Sequence, residues 1–307
     1  MAWFEKALTA KVMSTTILIR ANVPKAKLFQ AYKIAQDFEE RYSAYRKDSF
    51  LSQINANAGV HRVACKQEDH EFFTRALEAC KLSEGIFDIT IGALSHGAYH
   101  FGFANESQAS QEELSKQKKL VDYREIDINQ DGIFLKKKGM RLDVGGIGKG
   151  YVAKKIILFL QECGATKALV DVGGEIVCFG KNYTIALKDP FGNGNIGVIK
   201  SSKEPLSIAT SGDYERFIGS RQNHHILDKK SGASSNFYSS LSVIQNGFDI
   251  DMLDVFATAL FNQSLPQLKS SILKQKFAMV TIDKEATLSL WNLKALQIEK
   301  MEFSSFS

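Results

Sequence analysis

The alternation of apolar and polar positions predicts most of the elements before any chemistry is considered. Thr15-Thr-Ile-Leu-Ile-Arg-Ala-Asn-Val23 is β-branched between polar flanks and predicts a strand. Pro24 then opens a helix in which Leu28, Ala31, Ala35, Phe38 and Tyr42 recur three or four residues apart and define one buried face. A polar loop follows through Ser43–Ser49. Phe72, Phe73, Ala76, Leu77 and Cys80 mark a second amphipathic helix that stops near Gly85. Residues 104–130 are polar and charged and predict a surface excursion with one short helix. A third helix is predicted from Gly150 to Gly164, with Val152, Ile156, Phe159 and Leu160 on one face. Strands are predicted at Ala168–Val172, Tyr183–Leu187, Ile196–Lys200, Leu206–Thr210 and Leu241–Gln245. Then come a helix over about 251–262, another near 265–275, and strands at Ala278–Ile282 and Leu288–Trp291.

This order is not a regular strand–helix alternation. It predicts an α+β fold with mainly antiparallel sheets and flanking helices, rather than a doubly wound sheet. No fixed-period repeat and no low-complexity tract interrupts it. At 307 residues and 44% hydrophobic, the chain can build one large core or two intimately packed lobes, and is read as a single domain over 1–307. A net charge of +5 suits an anionic ligand, but the basic residues are scattered, so nucleic acid is not an expected partner. The four cysteines form no C-x-x-C pair and read as small core residues. No apolar run is long enough to span a membrane. The N-terminus has no export signal and no lipidated cysteine, so the expectation is a cytoplasmic protein or a trimmed precursor.

Four segments marked by glycine and aspartate carry the candidate chemistry: Asp143-Val-Gly-Gly-Ile-Gly-Lys-Gly-Tyr151, Asp171-Val-Gly-Gly-Glu175, Thr210-Ser-Gly-Asp-Tyr-Glu-Arg-Phe217 and His224-His-Ile-Leu-Asp228. The first fails the P-loop pattern, because Gly150 follows Lys149 and Asp143 stands where a glycine is needed; it also fails G-x-G-x-x-G. What remains is a glycine-dense turn leading into a helix. Its backbone can approach a ligand closely, with Lys149 as a mobile positive charge; a plain strand-to-helix turn is the alternative. Asp254 and Thr258 are four apart on a predicted helix and share a face. Carboxylate and hydroxyl are hard oxygen ligands that suit Mg²⁺, which takes its remaining ligands from water or phosphate. A solvated aspartate with a threonine bonded to its own helix is the alternative. The apolar neighbours Leu253, Val255, Phe256, Ala257 and Leu260 favour the ligand reading, because a buried carboxylate needs a partner. His224 and His225 stand close to Asp228, and one of them is a candidate general base. His61, His70, His96 and His100 are isolated and read as structural or surface residues, although the spacing of His96 and His100 allows a helical pair.

In this order the segments resemble the FAD:protein FMN transferases, the ApbE family. Val12-Met-Ser-Thr15 is similar to that family's opening Met-Gly-Thr strand, and Tyr42–Asn55 to its Ser-x-Tyr…Asp-Ser-x-Leu-Ser-x-x-Asn segment. Gly85-Ile-Phe-Asp-Ile-Thr-Ile-Gly-Ala-Leu94 resembles Gly-Ala-Phe-Asp-x-Thr-Val-Gly-Pro-Leu. Asp143–Tyr151, Ala209–Arg216, His224–Gly232 and Asp254–Leu260 match the remaining motifs. Gly148 departs from the usual alanine, and Lys229 and Ala93 from usual prolines.

The resemblance implies an enzyme of two lobes, with FAD as substrate in the cleft and Mg²⁺ beside the diphosphate. It implies transfer of FMN to a Ser/Thr hydroxyl of an acceptor protein, with release of AMP. It also implies that Met13, Tyr45, Ile86, Phe87, Asp88, Asp143, Lys149 and Leu227 line the FAD site. The Gly146 carbonyl would join Asp254 and Thr258 around Mg²⁺. His225 is the candidate base for the acceptor hydroxyl, and Lys149 the candidate for neutralising the diphosphate. The alternatives are an FAD pyrophosphatase, in which water replaces the acceptor, and a flavin carrier without catalysis.

Overall fold

Two strands and a tight turn open the chain in the computed structural model, which describes residues 4–180, 182–271 and 277–303. Strand β1 (Lys6–Val12) returns as β2 (Thr15–Ala21) through a two-residue loop, with Val12 opposite Thr15. Helix α1 (Lys25–Tyr42) follows, and every residue predicted for its inner face is buried. Next come α2 (Phe50–Ala56), whose Ser49 hydroxyl accepts the Ser52 N–H at 3.0 Å as an N-cap, and α3 (Gln67–Leu82). Helix α3 ends in a Schellman motif: Gly85 N–H reaches Cys80 O at 2.7 Å and Glu84 N–H reaches Lys81 O at 2.9 Å. Then α4 (Gly92–Ser95), α5 (Gln111–Lys118), and the hairpin β3 (Ile126–Asn129) and β4 (Gly132–Leu135) lead to α6 (Gly145–Glu162). Strands β5 (Ala168–Val172), β6 (Glu175–Phe179), β7 (Thr184–Lys188), β8 (Asn195–Ser201), β9 (Leu206–Gly212) and β10 (Tyr238–Asn246) precede α7 (Ile250–Phe261) and α8 (Leu265–Ser270). The chain finishes with β11 (Ala278–Asp283), β12 (Leu288–Trp291) and β13 (Ile298–Phe303).

The fold is α+β with antiparallel sheets, as expected. Three expectations need correction. Helix α6 begins at Gly145, so the glycine-rich stretch is the start of the helix rather than a turn before it. Val12-Met-Ser-Thr15 is the hairpin turn between β1 and β2, not a strand, and both Met13 (φ 55°) and Ser14 (φ 58°) adopt left-handed backbone. Helix α8 covers 265–270; residues 272–275 of the helix expected there lie outside the described residues.

The chain divides into two compact units. The first comprises Met1–Glu39, Ile147–Gly212 and Phe237–Ser307. Its eight-stranded sheet has the order β1-β2-β5-β6-β9-β10-β11-β12. A three-stranded sheet, β13-β8-β7, lays Ile185, Leu187, Ile196 and Ile199 against Leu169, Cys178, Ile208 and Ile244 of the larger sheet. The alternate residues Val170, Val177, Ala209 and Val243 are just as buried and point to the opposite face. Helix α7, apolar on nearly every side, packs across β6, β9 and β10. The second unit comprises Glu40–Gly146 and Asp213–Asn236. Tyr42, Phe50, Phe72 and Phe73 form one aromatic core there, while Leu94, Tyr99, Phe101, Leu114 and Leu227 form another cluster. The buried Asp69 is satisfied by the Arg41 guanidinium, the Tyr42 hydroxyl and the Lys66 N–H.

Candidate functional site

In the first unit, three elements bring charge together. Helix α6 carries Lys149 and Gly150, β6 opens with Glu175, and α7 carries Asp254 and Thr258. Lys149 Nζ lies 2.6 Å from Glu175 Oε2. Gly150 N–H donates to Asp254 Oδ2 at 2.9 Å, and the Glu175 and Asp254 carboxyl groups lie close enough to influence each other's charge. Gly150 has to be glycine: an added Cβ would stand 2.5 Å from Ile250 O and 2.9 Å from Asp254 Cβ. The second Asp-Val-Gly-Gly copy is the hairpin turn between β5 and β6. Gly173 (φ 63°) and Gly174 (φ 101°) make the turn, Asp171 Oδ1 takes the Gly174 N–H at 2.8 Å, and Glu175 is delivered opposite Val172. It positions a carboxyl at the start of β6.

Burial raises the Glu175 carboxyl well above the usual range; Lys149 opposes this and Asp254 adds to it. Burial raises the Asp254 carboxyl as well, against Lys149 and the Gly150 N–H. Two desolvated carboxyls so close each make the other harder to ionise, while Lys149 favours the charged forms. Thr258, one turn further along α7, presents Oγ1 3.5 Å from Ser211 Oγ. Among the described residues no three His, Cys, Asp or Glu side chains gather as a metal cage. The hard oxygens of Asp254 and Thr258 instead suit a cation that completes its shell with water or phosphate. Gly146, the carbonyl expected beside them, lies in the first turn of α6.

Met13 also belongs to this unit. Its N–H donates to Glu39 Oε1 at 2.9 Å. Gly148, where the family has alanine, leaves a space that the neighbours fill. A Cβ there would be 3.0 Å from the Phe38 ring edge and 3.6 Å from the Met13 methyl.

The second unit holds the remaining expected residues. Asp143 accepts from Ser95 Oγ at 2.7 Å and from Gly145 N–H at 2.9 Å, with His96 Nε2 at 3.5 Å. Burial works to raise the Asp143 carboxyl, but His96, the Ser95 hydroxyl, the Gly145 N–H and Arg216 together hold it below the usual range. His96 itself is pushed down by burial and is neutral at pH 7, so at that pH the hydroxyl, the N–H and Arg216 keep Asp143 ionised. Asn55 grips the preceding residue at both ends, accepting Leu142 N–H at 2.7 Å and donating to Leu142 O at 3.1 Å. Gly92 lets this segment come close, because a Cβ would stand 2.6 Å from Arg141 O.

Tyr45 packs against the rings of His96 and Phe103 and accepts from Arg216 at 2.8 Å. Ile86 is half-buried. Phe87 is buried, and its N–H bonds the Ser83 hydroxyl at 3.2 Å. The buried Asp88 carboxylate is fully occupied within the unit. It accepts from the Thr90 N–H and hydroxyl, from Tyr123 N–H, and from Lys229 Nζ at 3.1 Å. Lys229, in place of the family's proline, thus ties its loop to Asp88. Leu227 packs in the cluster of Leu94, Tyr99 and Phe101.

The two histidines separate by environment. His224 is fully buried, with Nε2 at 2.6 Å from Ser235 O and Nδ1 accepting the Ile226 N–H at 3.2 Å, so its ring holds the loop. His225 is half-buried, and Nδ1 faces Arg216 O at 3.2 Å. A carbonyl only accepts, so Nδ1 carries the proton and Nε2 is the basic nitrogen.

Sequence reasoning passed over Glu175, Ser211, Arg216, Asn55 and Ser95. Each except Ser95 stands inside a segment it had already singled out, but the partner that reveals its role is distant in the chain.

The ApbE family profile matches residues 13–280. A protein of Klebsiella pneumoniae named FAD:protein FMN transferase is 28% identical over 261 residues, which is 82% of this chain and 81% of that protein. One of Treponema pallidum with the same name is 29% identical over 255 residues, 76% of this chain and 67% of that protein. An ApbE protein of Thermotoga maritima superposes with a TM-score of 0.85 at 21% identity, over 94% of this chain and 97% of that one. The flavin transferase ApbE of Vibrio cholerae gives 0.79 at 23% identity, over 94% of this chain and 96% of that one. At these identities the two structures bear on the fold alone. With the profile spanning most of both compact units and every site segment built above, the chain belongs to the ApbE family.

Proposed function

We propose that this protein is an FAD:protein FMN transferase, which moves FMN from FAD to a serine or threonine hydroxyl of an acceptor protein and releases AMP. The observation that carries the reading is the half-exposed Lys149 ammonium, held 2.6 Å from Glu175 on the glycine-rich start of α6, in a chain whose relatives are named for this reaction. A diphosphate repels an incoming nucleophile, and a fixed ammonium lowers that repulsion while stabilising the charge that builds on the leaving phosphate. Asp254 and Thr258 would hold Mg²⁺, with the Gly146 carbonyl as a third donor. When bound, Mg²⁺ supplies Lewis-acid neutralisation of the phosphate oxygens.

The acceptor oxygen forms a bond to the phosphorus on the FMN side, and the bond from that phosphorus to the bridging oxygen breaks. The hydroxyl proton passes to His225 Nε2, and AMP leaves carrying the bridging oxygen. His225 suits this role because its tautomer is fixed by Arg216 O. Met13, Tyr45, Ile86, Phe87, Asp88, Asp143 and Leu227 are assigned to the FAD site, some by side chain and others, such as the saturated Asp88, by the backbone they hold in place.

The test is release of AMP and FMN from FAD with Mg²⁺, with and without an acceptor that carries a Ser/Thr flavinylation motif. AMP together with flavin covalently on the acceptor supports transfer. AMP with free FMN in both tubes favours a pyrophosphatase. Bound FAD with neither product overturns the catalytic reading.

A further inference from the structure

We propose that Glu175 is a positioning residue, which fixes the Lys149 ammonium and the Asp254 carboxyl from a single buried side chain. The inference rests on the roles assigned to Lys149 and Asp254 above. Glu175 is 1% exposed, yet it is the first residue of β6, directly after a turn of two left-handed glycines. Its strand lies between β5 and β9 in the sheet, so its backbone cannot drift. From that anchor one oxygen reaches Lys149 Nζ on α6 at 2.6 Å, and the carboxyl lies close enough to Asp254 on α7 to interact with it electrostatically. A lysine side chain is long and flexible, and unrestrained it samples many rotamers. A hydrophobic residue would fill the space beneath α7 as well as a glutamate does, and a buried ion pair is weak evidence for stability. What the carboxyl adds is location: the cationic side chain and the metal-ligand side chain are referred to the same rigid strand. A displacement of about 1 Å in such a group can cost on the order of a hundred-fold in rate.

The test uses the full-length protein and the variants E175Q, K149M and E175Q/K149M. E175Q is expected to lower kcat for AMP release by about ten-fold or more, with KM for FAD changed little. In the K149M background the same change should cost distinctly less, because one of the two groups it positions is gone and only Asp254 remains. A second readout needs neither metal nor flavin. The rate at which an amine-reactive acylating reagent modifies Lys149, followed by peptide mass spectrometry, should rise several-fold in E175Q. Wild-type kcat and an unchanged labelling rate in E175Q, or a full additive loss in the double variant, would overturn the proposal. If E175Q does not fold, E175D keeps the charge on a shorter arm and should show the same kcat loss and faster labelling; wild-type behaviour in E175D overturns it. A wild-type protein that releases no AMP would instead defeat the functional reading, and the labelling rate would still decide the positioning.

Discussion

The main-chain N–H of Gly150 donates to Asp254 Oδ2 at 2.9 Å, so the backbone of α6 helps to orient a side chain of α7. The contact exists only because position 150 has no side chain. A Cβ there would press on Ile250 O at 2.5 Å and Asp251 Cα at 2.9 Å, both of them backbone atoms that cannot swing aside. Gly150→Ala is therefore expected to cost about 1–3 kcal/mol in stability, despite alanine's better helix propensity. Chemical denaturation reads that loss. AMP release at a temperature where the variant is still folded should fall further than stability alone explains, because Asp254 loses its N–H donor.

The Glu175–Asp254 pair sets a pH dependence. Burial raises the Glu175 carboxyl in the folded state, so the folded protein binds this proton more tightly than the unfolded chain does. Its contribution to stability is fully present below the ordinary glutamate value of 4.5 and is lost as pH rises through the raised folded value. Without divalent cation, wild type should lose stability relative to E175Q as pH climbs from about 4.5 towards neutrality. Mg²⁺ would compete with protons for these raised carboxyls, so its apparent affinity should increase with pH over the same interval. Melting curves and calorimetric Mg²⁺ titrations across pH check both statements, and parallel wild-type and E175Q profiles would refute the first.

The adjacent histidines should respond oppositely to truncation. His224→Ala leaves the buried Ser235 O and Ile226 N–H without their ring partner, at about 1–3 kcal/mol for each unpaired group. Its melting temperature should drop well below wild type. His225→Ala should melt close to wild type and bind FAD, yet lose transfer to the acceptor by about a hundred-fold or more. Full transfer activity in that variant would remove His225 from the mechanism.

Ser14 occupies the second left-handed position of the β1–β2 turn, with φ 58°, where the related motif has glycine. A left-handed backbone costs an L residue about 1–2 kcal/mol, which glycine escapes. Ser14→Gly is expected to stabilise the protein by about 1 kcal/mol, visible as a higher melting temperature. Met13 N–H should keep its bond to Glu39, and FAD turnover should be unchanged.

Much of the framework is legible in the sequence where one face is buried at a regular interval. The inner residues of α1 are all buried, and α7 stands within a residue of its expected bounds. Strand β6 escaped notice because Asp-Val-Gly-Gly looks like a ligand loop until its register with β5 is known. Strand β13 carries no clean alternation: Glu299 and Lys300 are adjacent exposed residues. The start of α6 is not legible for an energetic reason. Glycine disfavours helix, and Gly145, Gly146 and Gly148 crowd the first turn, so propensity alone places the start after them. For the site, Asp254 and Thr258 are legible because both stand on one helix. Glu175, Asn55 and Arg216 are not, since spacing along the chain says nothing about a hydrogen bond to a residue far from it in sequence.

The eight-stranded sheet also dictates the order in which the polypeptide can assemble. Ala21 of β2 pairs with Ala168 of β5, and most of the second unit is encoded between them. The β1–β2 hairpin is therefore made early in synthesis and stays without its neighbour until β5 has emerged. Closing a loop of that length carries an entropic cost of roughly 4 kcal/mol, which is reduced if the intervening segment has already collapsed. Compaction of residues 40–146 is thus expected to precede completion of the sheet during refolding, and β2, a β-branched edge until β5 arrives, is the stretch most exposed to mispairing with another nascent chain.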